Sequence, residues 1–298
     1  MSTRRTADLA ALVIVLVWGV NFPLLKLAMG GFGLSSFTFL RFAGMLALAW
    51  GVLLVRPAGG IERGDWPRIA ASGLLGYTLY IGGSLAGVYY STAFSTALLI
   101  AAAPAFAALL LQAGGQEELG ASRWLGLAIS FLGVALFVGG LGRSTLIGNL
   151  INAVAAFCYA AYNVVNRPLV TRYPGRVLTA WTLSAGAVPL LALTAPALGH
   201  QDWSRVTALD WVVLAWTTVV PVYVAWTVWH WIQARIGINR PAALLYLVPL
   251  VAGVVSWALL GEGFSWTKAF AAAVILAGVV LARGVSLPGR LRPEPAST

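Results

Sequence analysis

Charge is scarce in this chain. Only 9% of its 298 residues are Asp, Glu, Lys or Arg, against about a quarter in ordinary soluble domains, so it cannot cover a water-facing surface. Acid is scarcer than base, with 9 Asp and Glu against 19 Lys and Arg, and no acid falls in the core of any apolar run. The two histidines and the single cysteine, Cys158, exclude an internal disulfide and a Cys-based metal cluster. There is no HExxH, no paired intramembrane Asp, no Ser-His pairing and no phosphate cradle following a strand. Neither an enzyme, a cofactor nor a bound metal is expected.

What the chain has in abundance is apolar sequence. Hydrophobic residues make up 60% and the mean hydropathy is +0.86, which also excludes intrinsic disorder. The runs are too long for barrel strands and lack their alternation, so they read as membrane-spanning helices. At about 30 residues per helix and loop, 298 residues hold about ten. They fall at about 7–29, 35–55, 67–90, 93–113, 123–141, 147–166, 177–199, 209–233, 239–260 and 266–286. The first run is too long for a signal peptide and holds polar Asn21, so it reads as a retained helix.

The basic residues test that count. With a cytoplasmic N-terminus, fourteen of the 19 Lys and Arg fall in inner segments, and Arg143, Arg205 and Lys268 fall outside. Lys26 and Arg41 remain within helices. Such a bias is what positive-inside topology produces, and it places both termini in the cytoplasm of a cell with this protein in its cytoplasmic (inner) membrane. It also accounts for the net charge of +10 without nucleic acid.

The halves resemble each other. Pro104, Glu117, Arg123, Gly126 and Gly133 match Pro249, Glu262, Lys268, Ala271 and Gly278, each pair 145 residues apart. Asp65-Trp66 matches Asp210-Trp211 at the same offset. Trp18, Asn21, Phe22 and Lys26 match Tyr159, Tyr162, Asn163 and Arg167 at an offset of 141. A five-helix repeat has an odd number of crossings, so its second copy enters inverted. The expected fold is therefore all-α and integral to the membrane, with ten helices in two inverted five-helix repeats around a central cavity. Residues 1–141 form the first repeat, 142–286 the second, and 287–298 a cytoplasmic tail.

Four mid-helix stripes could line that cavity. Helix 1 offers Trp18, Asn21 and Phe22, and helix 3 offers Tyr77, Tyr80 and Ser84. Helix 6 offers Tyr159, Tyr162, Asn163 and Asn166, and helix 8 offers Tyr223, Trp226, Thr227 and His230. Aromatic belts belong at the interfaces rather than at mid-depth, and polar groups at mid-depth face a bundle interior or a cavity. The alternative is aromatic core packing with Asn linking helices. Pro104 and Pro249 would free the carbonyls of Ile100 and Leu245 for a substrate, or act as hinges. Tyr246, one turn before Pro249, is a further cavity candidate. Arg41, about 9 Å into helix 2, could hold a carboxylate or anchor the helix end. His230 is the one titratable candidate for a proton relay. Glu117 and Glu262 sit at helix ends, where capping of the following helix is expected.

Trp18-Gly-Val-Asn-Phe22, Leu40-Arg41-Phe42, Tyr246-Leu-Val-Pro249, Leu260-Gly-Glu262 and Ile275-Leu-Ala-Gly-Val279 resemble the drug/metabolite transporter superfamily, its EamA-type ten-helix branch in particular. The resemblance implies a basket of helices with a cavity lined by helices 1, 3, 4, 6, 8 and 9, and export of amino acids or other small metabolites. Given the aromatic faces, the chain is most similar to exporters of aromatic amino acids, with Tyr80, Tyr159 and Tyr246 at the cavity. It has Ala103 where an aromatic would precede Pro104, and it lacks the helix-1 glutamate of the small multidrug-resistance relatives. The implied function is export of small amphipathic metabolites by alternating access, with Asn21, Asn163 and exposed carbonyls holding ammonium and carboxylate groups. The partners expected are a small-molecule substrate and the lipid bilayer, with one chain sufficient for function. Export of lipophilic drugs or nucleobase-like metabolites, or a non-transporting receptor or assembly role, are the alternatives.

Overall fold

The computed structural model describes residues 3–115, 118–139, 143–236, 244–263 and 265–282, apart from the side chains of 3, 4, 138, 139, 143, 144, 226, 230 and 233–236. Among the described residues every regular element is helical. The first run, Thr3–Val55, is broken at Gly33, whose φ of 68° and ψ of 166° lie in a region open only to glycine. It divides into two arms, α1 (3–32) and α2 (34–55). The sequence reads Gly30 to Gly33 as a loop, but the helix continues to the break itself.

The remaining helices follow in order. They are α3 (Arg63–Tyr90), α4 (Ala93–Ala113), α5 (Ala121–Gly139), α6 (Arg143–Arg172) and α7 (Gly175–Thr194), which runs into a 3-10 turn, Ala195–His200. Then come α8 (208–236), α9 (Val248–Leu260) and α10 (Trp266–Ala282). Helix 6 extends to Arg172, beyond the expected end at 166, because Pro168 does not end it. Among the described residues six stretches are long and apolar enough to cross a membrane, and three more apolar helices are shorter. Large apolar side chains such as Leu9, Val13, Leu16, Val254 and Trp257 are exposed on the outside, which is how a lipid-facing surface looks.

Two of the four hydrophobic clusters among the described residues organise the bundle. One gathers Leu25, Phe32, Phe37, Phe42, Met45, Leu85 and Leu183 from α1, α2, α3 and α7. The other gathers Phe94, Leu98, Leu127, Phe137 and Ile275 from α4, α5 and α10. Helices α5 and α10 approach closely because three glycines leave room. A Cβ on Gly126 would overlap the backbone at Ala282, one on Gly133 the backbone at Ile275, and one on Gly278 the backbone at Ser130. Small residues at this spacing let helices pack where lipid supplies no hydrophobic drive.

Each end of the bundle is tied across distant segments. Where α3 begins and α6 ends, Asp65 accepts from Arg172 Nη1 and, at 2.7 Å, from the Tyr173 hydroxyl, which itself accepts from the Glu62 N–H at 3.1 Å. At the opposite end Lys26 Nζ pairs with Glu262 at 3.0 Å and donates to the Ser91 carbonyl. Glu262 also accepts from the Ala93 N–H through both oxygens at 3.1 Å. Its carboxylate therefore caps α4, where the helix dipole favours negative charge. This corrects the expectation that it caps the following helix. Glu117 lies outside the described residues.

The glycine contacts give a direct test. Gly278→Val is expected to destabilise by on the order of 3 kcal/mol or to prevent accumulation, because backbone, not a movable side chain, occupies the space. Gly175→Ala, with nothing within 4 Å of the added Cβ, is expected to leave the melting temperature in detergent unchanged. Equal melting temperatures for the two variants would remove the close contact of α5 and α10.

Candidate substrate-binding site

Local breaks in the helices build the site. Both α3 and α8 contain a π-helical turn, at Leu74–Gly82 and at Val220–Val224. A π segment replaces the i→i−4 bonds with i→i−5 ones, and such segments recur at functional sites. In α3 it carries Tyr77 and Tyr80; in α8 it carries Tyr223. The two turns overlap at the repeat offset of 145 residues.

Four tyrosines meet between α3 and α6. Tyr80 stacks on Tyr159 with centroids 4.4 Å apart and planes at 27°. Tyr159 lies 6.4 Å from Tyr162 at 18°. Tyr77 meets Tyr162 edge-on at 6.4 Å. Gly76 makes this possible, since a Cβ there would strike the Tyr162 ring. Thr78 donates to the Gly186 carbonyl at 2.7 Å and fixes α3 against α7. All four rings keep partial exposure. Asn163, on the same face of α6, is exposed and donates to the Tyr159 carbonyl at 2.7 Å. Asn166 donates to the Tyr162 hydroxyl at 3.3 Å.

The α8 side is held by its proline. Pro221 has no N–H to give to the Thr217 carbonyl one turn earlier. Arg41 Nη2 donates to that carbonyl at 3.2 Å. The Pro221 carbonyl in turn accepts from Trp18 Nε1 at 3.0 Å. Tyr223 donates to the Met45 carbonyl of α2 at 2.6 Å, and Phe22, Tyr77 and Tyr223 pack on the same core. Pro221 is plain in the sequence, but its consequence depends on which side chains reach the freed carbonyl.

Other expected residues are placed differently. Trp18 turns toward the far half of α8, with its ring 5.2 Å from Trp229. Asn21 has a buried Oδ1 without a partner. Tyr246 packs against the α4, α5 and α10 core. The side chains of Trp226 and His230 lie outside the described residues. Pro104 and Pro249 each occupy the first turn of a new segment rather than a bend within a continuous helix. Such a position needs no N–H. The Leu245 carbonyl accepts from the Val248 N–H and the Ile100 carbonyl from the Ala102 N–H. Neither carbonyl is therefore wholly freed, and each keeps one lone pair for a ligand.

A model of the EamA-like transporter family matches residues 5–139 and again 146–284. The chain belongs to the EamA-like transporter family. It is accordingly a multi-pass membrane protein of a transporter family and not an enzyme. A probable terminal-alkyne amino-acid exporter of Streptantibioticus cattleyicolor is 30% identical over 94% of this chain and 97% of its own length. A probable amino-acid metabolite efflux pump of Salmonella typhimurium is 26% identical over 93% of this chain and 94% of its own. A solved crystal structure with 21% identity covers 94% of this chain and 98% of its own, with a TM-score of 0.58, and shares the fold.

The stacked pair is testable on stability alone. Tyr80→Ala and Tyr159→Ala are each expected to lower the melting temperature, and the double variant by less than their sum. The coupling expected for such a ring pair is about 1 kcal/mol. Strict additivity would show that the rings do not support one another.

Proposed function

We propose that this protein exports small amphipathic amino acids, aromatic ones among them, across the cytoplasmic membrane by alternating access. The observation that carries this reading is the partly exposed tyrosine group at mid-length of α3 and α6, with Tyr77 and Tyr80 on the π segment of α3. Such rings offer large apolar faces with polar edges, suited to a side chain that is itself apolar or aromatic. The printed roles of two relatives, amino-acid exporter and amino-acid metabolite efflux pump, support the substrate class.

In this reading all ten segments cross the bilayer with both termini in the cytoplasm, as the distribution of Lys and Arg favours. Residues 1–141 and 142–286 form inverted repeats, and 287–298 a cytoplasmic tail. The paired π turns of α3 and α8 and the proline-broken α4 and α9 support the pairing, since each sits where the repeat offset puts its counterpart. Breaks of this kind near mid-depth are the usual place for a transport site. One chain supplies both halves, so a monomer suffices.

Lys26, Glu262, Ser91 and Ala93 then seal the outer side. The contact joins α1 and α4 of the first repeat to the end of α9 in the second, so outward opening must part it. Its counterpart by the repeat relation is Arg167, which is exposed at the inner end of α6.

Counterflow of labelled L-phenylalanine into proteoliposomes loaded with the unlabelled amino acid tests the proposal. Saturable uptake above protein-free liposomes is expected. Tyr80→Ala and Tyr159→Ala are expected to lower it by roughly tenfold, the loss of one good stacking contact, while the protein stays folded. Wild-type flux in both variants would sink the site assignment. In a separate measurement, Glu262→Gln is expected to raise the labelling rate of a cysteine introduced at Ala93 from the outer side. An unchanged rate would show that the ion pair does not seal that side.

A further inference from the structure

A positive charge inside an apolar bundle needs a partner. Arg41 is 4% exposed. Its guanidinium has five N–H donors, yet it makes one hydrogen bond, from Nη2 to the Thr217 carbonyl at 3.2 Å. Its Nε is buried with no acceptor. Among the described residues no carboxylate pairs with it. Asp65 is engaged by Arg172, Asp210 by the cap of α8, and Glu262 by Lys26. An unpaired buried guanidinium is costly, and an unsatisfied donor adds to the cost.

Its surroundings say what would complete it. Arg41 lies one turn before Met45, whose carbonyl accepts from Tyr223 at 2.6 Å, and Tyr223 packs against the same core as Tyr77 of the tyrosine group. Thr217, its one acceptor, sits just before the π turn that carries Tyr223. The guanidinium, with its Nε unfilled, is therefore tied to the same part of the bundle as Tyr223 and the core that Tyr77 packs against. A planar fork of donors matches a carboxylate in two parallel bonds, which an ammonium cannot reproduce.

We propose that Arg41 is the carboxylate anchor of the site and makes it selective for α-amino acids over the corresponding amines and amides. The substrate carboxylate takes the free edge that includes Nε, while Nη2 keeps the Thr217 carbonyl. The substrate side chain lies against Tyr80 and Tyr159. This inference rests on the transport reading of the same tyrosines. A purely structural Arg41, there to satisfy Thr217, would need a single donor, and lysine would serve as well.

Binding to purified protein in detergent, measured by calorimetry for L-phenylalanine and for L-phenylalaninamide, separates the two roles. Wild type is expected to favour the acid. Arg41→Gln is expected to weaken the acid by about tenfold or more, the loss of a charge-assisted hydrogen bond, and the amide far less, so the ratio collapses. Arg41→Lys keeps the charge and the Thr217 contact, and is expected to lose most of the preference too. It carries the comparison alone should Arg41→Gln fail to fold. Equal affinity of wild type for acid and amide, or an unchanged ratio in folded Arg41→Lys, would overturn the anchor while leaving transport standing. Failure of folded wild type to bind either compound, together with absent counterflow, would overturn both readings.

Discussion

A backbone carbonyl released inside a lipid bilayer has no water to turn to, and must find a donor within the protein. Much of this structure follows from that constraint. Its helices are interrupted at Ala102, Pro221 and Leu247, and each of these interruptions is repaired locally or from a distance. The Leu245 carbonyl is taken up by a 3-10 bond and the Ile100 carbonyl by the Ala102 N–H. Thr217 is served by Arg41 from α2, and Pro221 by the Trp18 indole from α1. The long-range repairs converge on α8 and bind three separate helices around the same turn. Polar residues at mid-depth are thus there first because broken helices need them, and the same breaks leave room and donors for a ligand.

Charge is used with the same economy. Where the bundle meets its surroundings, scarce acids are shared between partners. Asp65 serves Arg172 and Tyr173, and Glu262 serves Lys26 and the start of α4. These contacts join segments far apart in the chain at opposite ends of the bundle, and both are side-chain contacts that can part without unravelling a helix. Between them the packing is of two kinds. The glycine-mediated contact of α5 and α10 is backbone on backbone and rigid. The meeting of α3 with α6 runs through rings beside a π segment.

The class of the protein was legible from its poverty in charge and the length of its apolar runs, and most helix limits follow from the polar residues between them. The stripe rule put Tyr77 on one helix face with Tyr80 and Tyr159 with Tyr162, because period 3.6 fixes which residues share a face. It could not say which faces turn toward each other. Tyr246, a candidate for its place before Pro249, packs against the α4, α5 and α10 core, and the Trp18 ring meets Trp229. The π turns were invisible because they depend on tertiary contacts that periodicity does not encode. The Lys26–Glu262 pair spans 236 residues, and nothing local announces it. Its only trace in the sequence was that both residues belong at the same end of the bundle.

The central claim is that the tyrosine group beside Arg41 is where substrate sits. The most direct measurement is an experimental structure of the full chain in lipid nanodiscs with L-phenylalanine at saturating concentration. The expected result is ligand density against the Tyr80 and Tyr159 rings, with its carboxylate on the free edge of Arg41. Density confined to the pocket at the far end of α1, lined by Lys26, Gln201 and Arg205, with the Tyr80–Tyr159 stack unchanged, would contradict it.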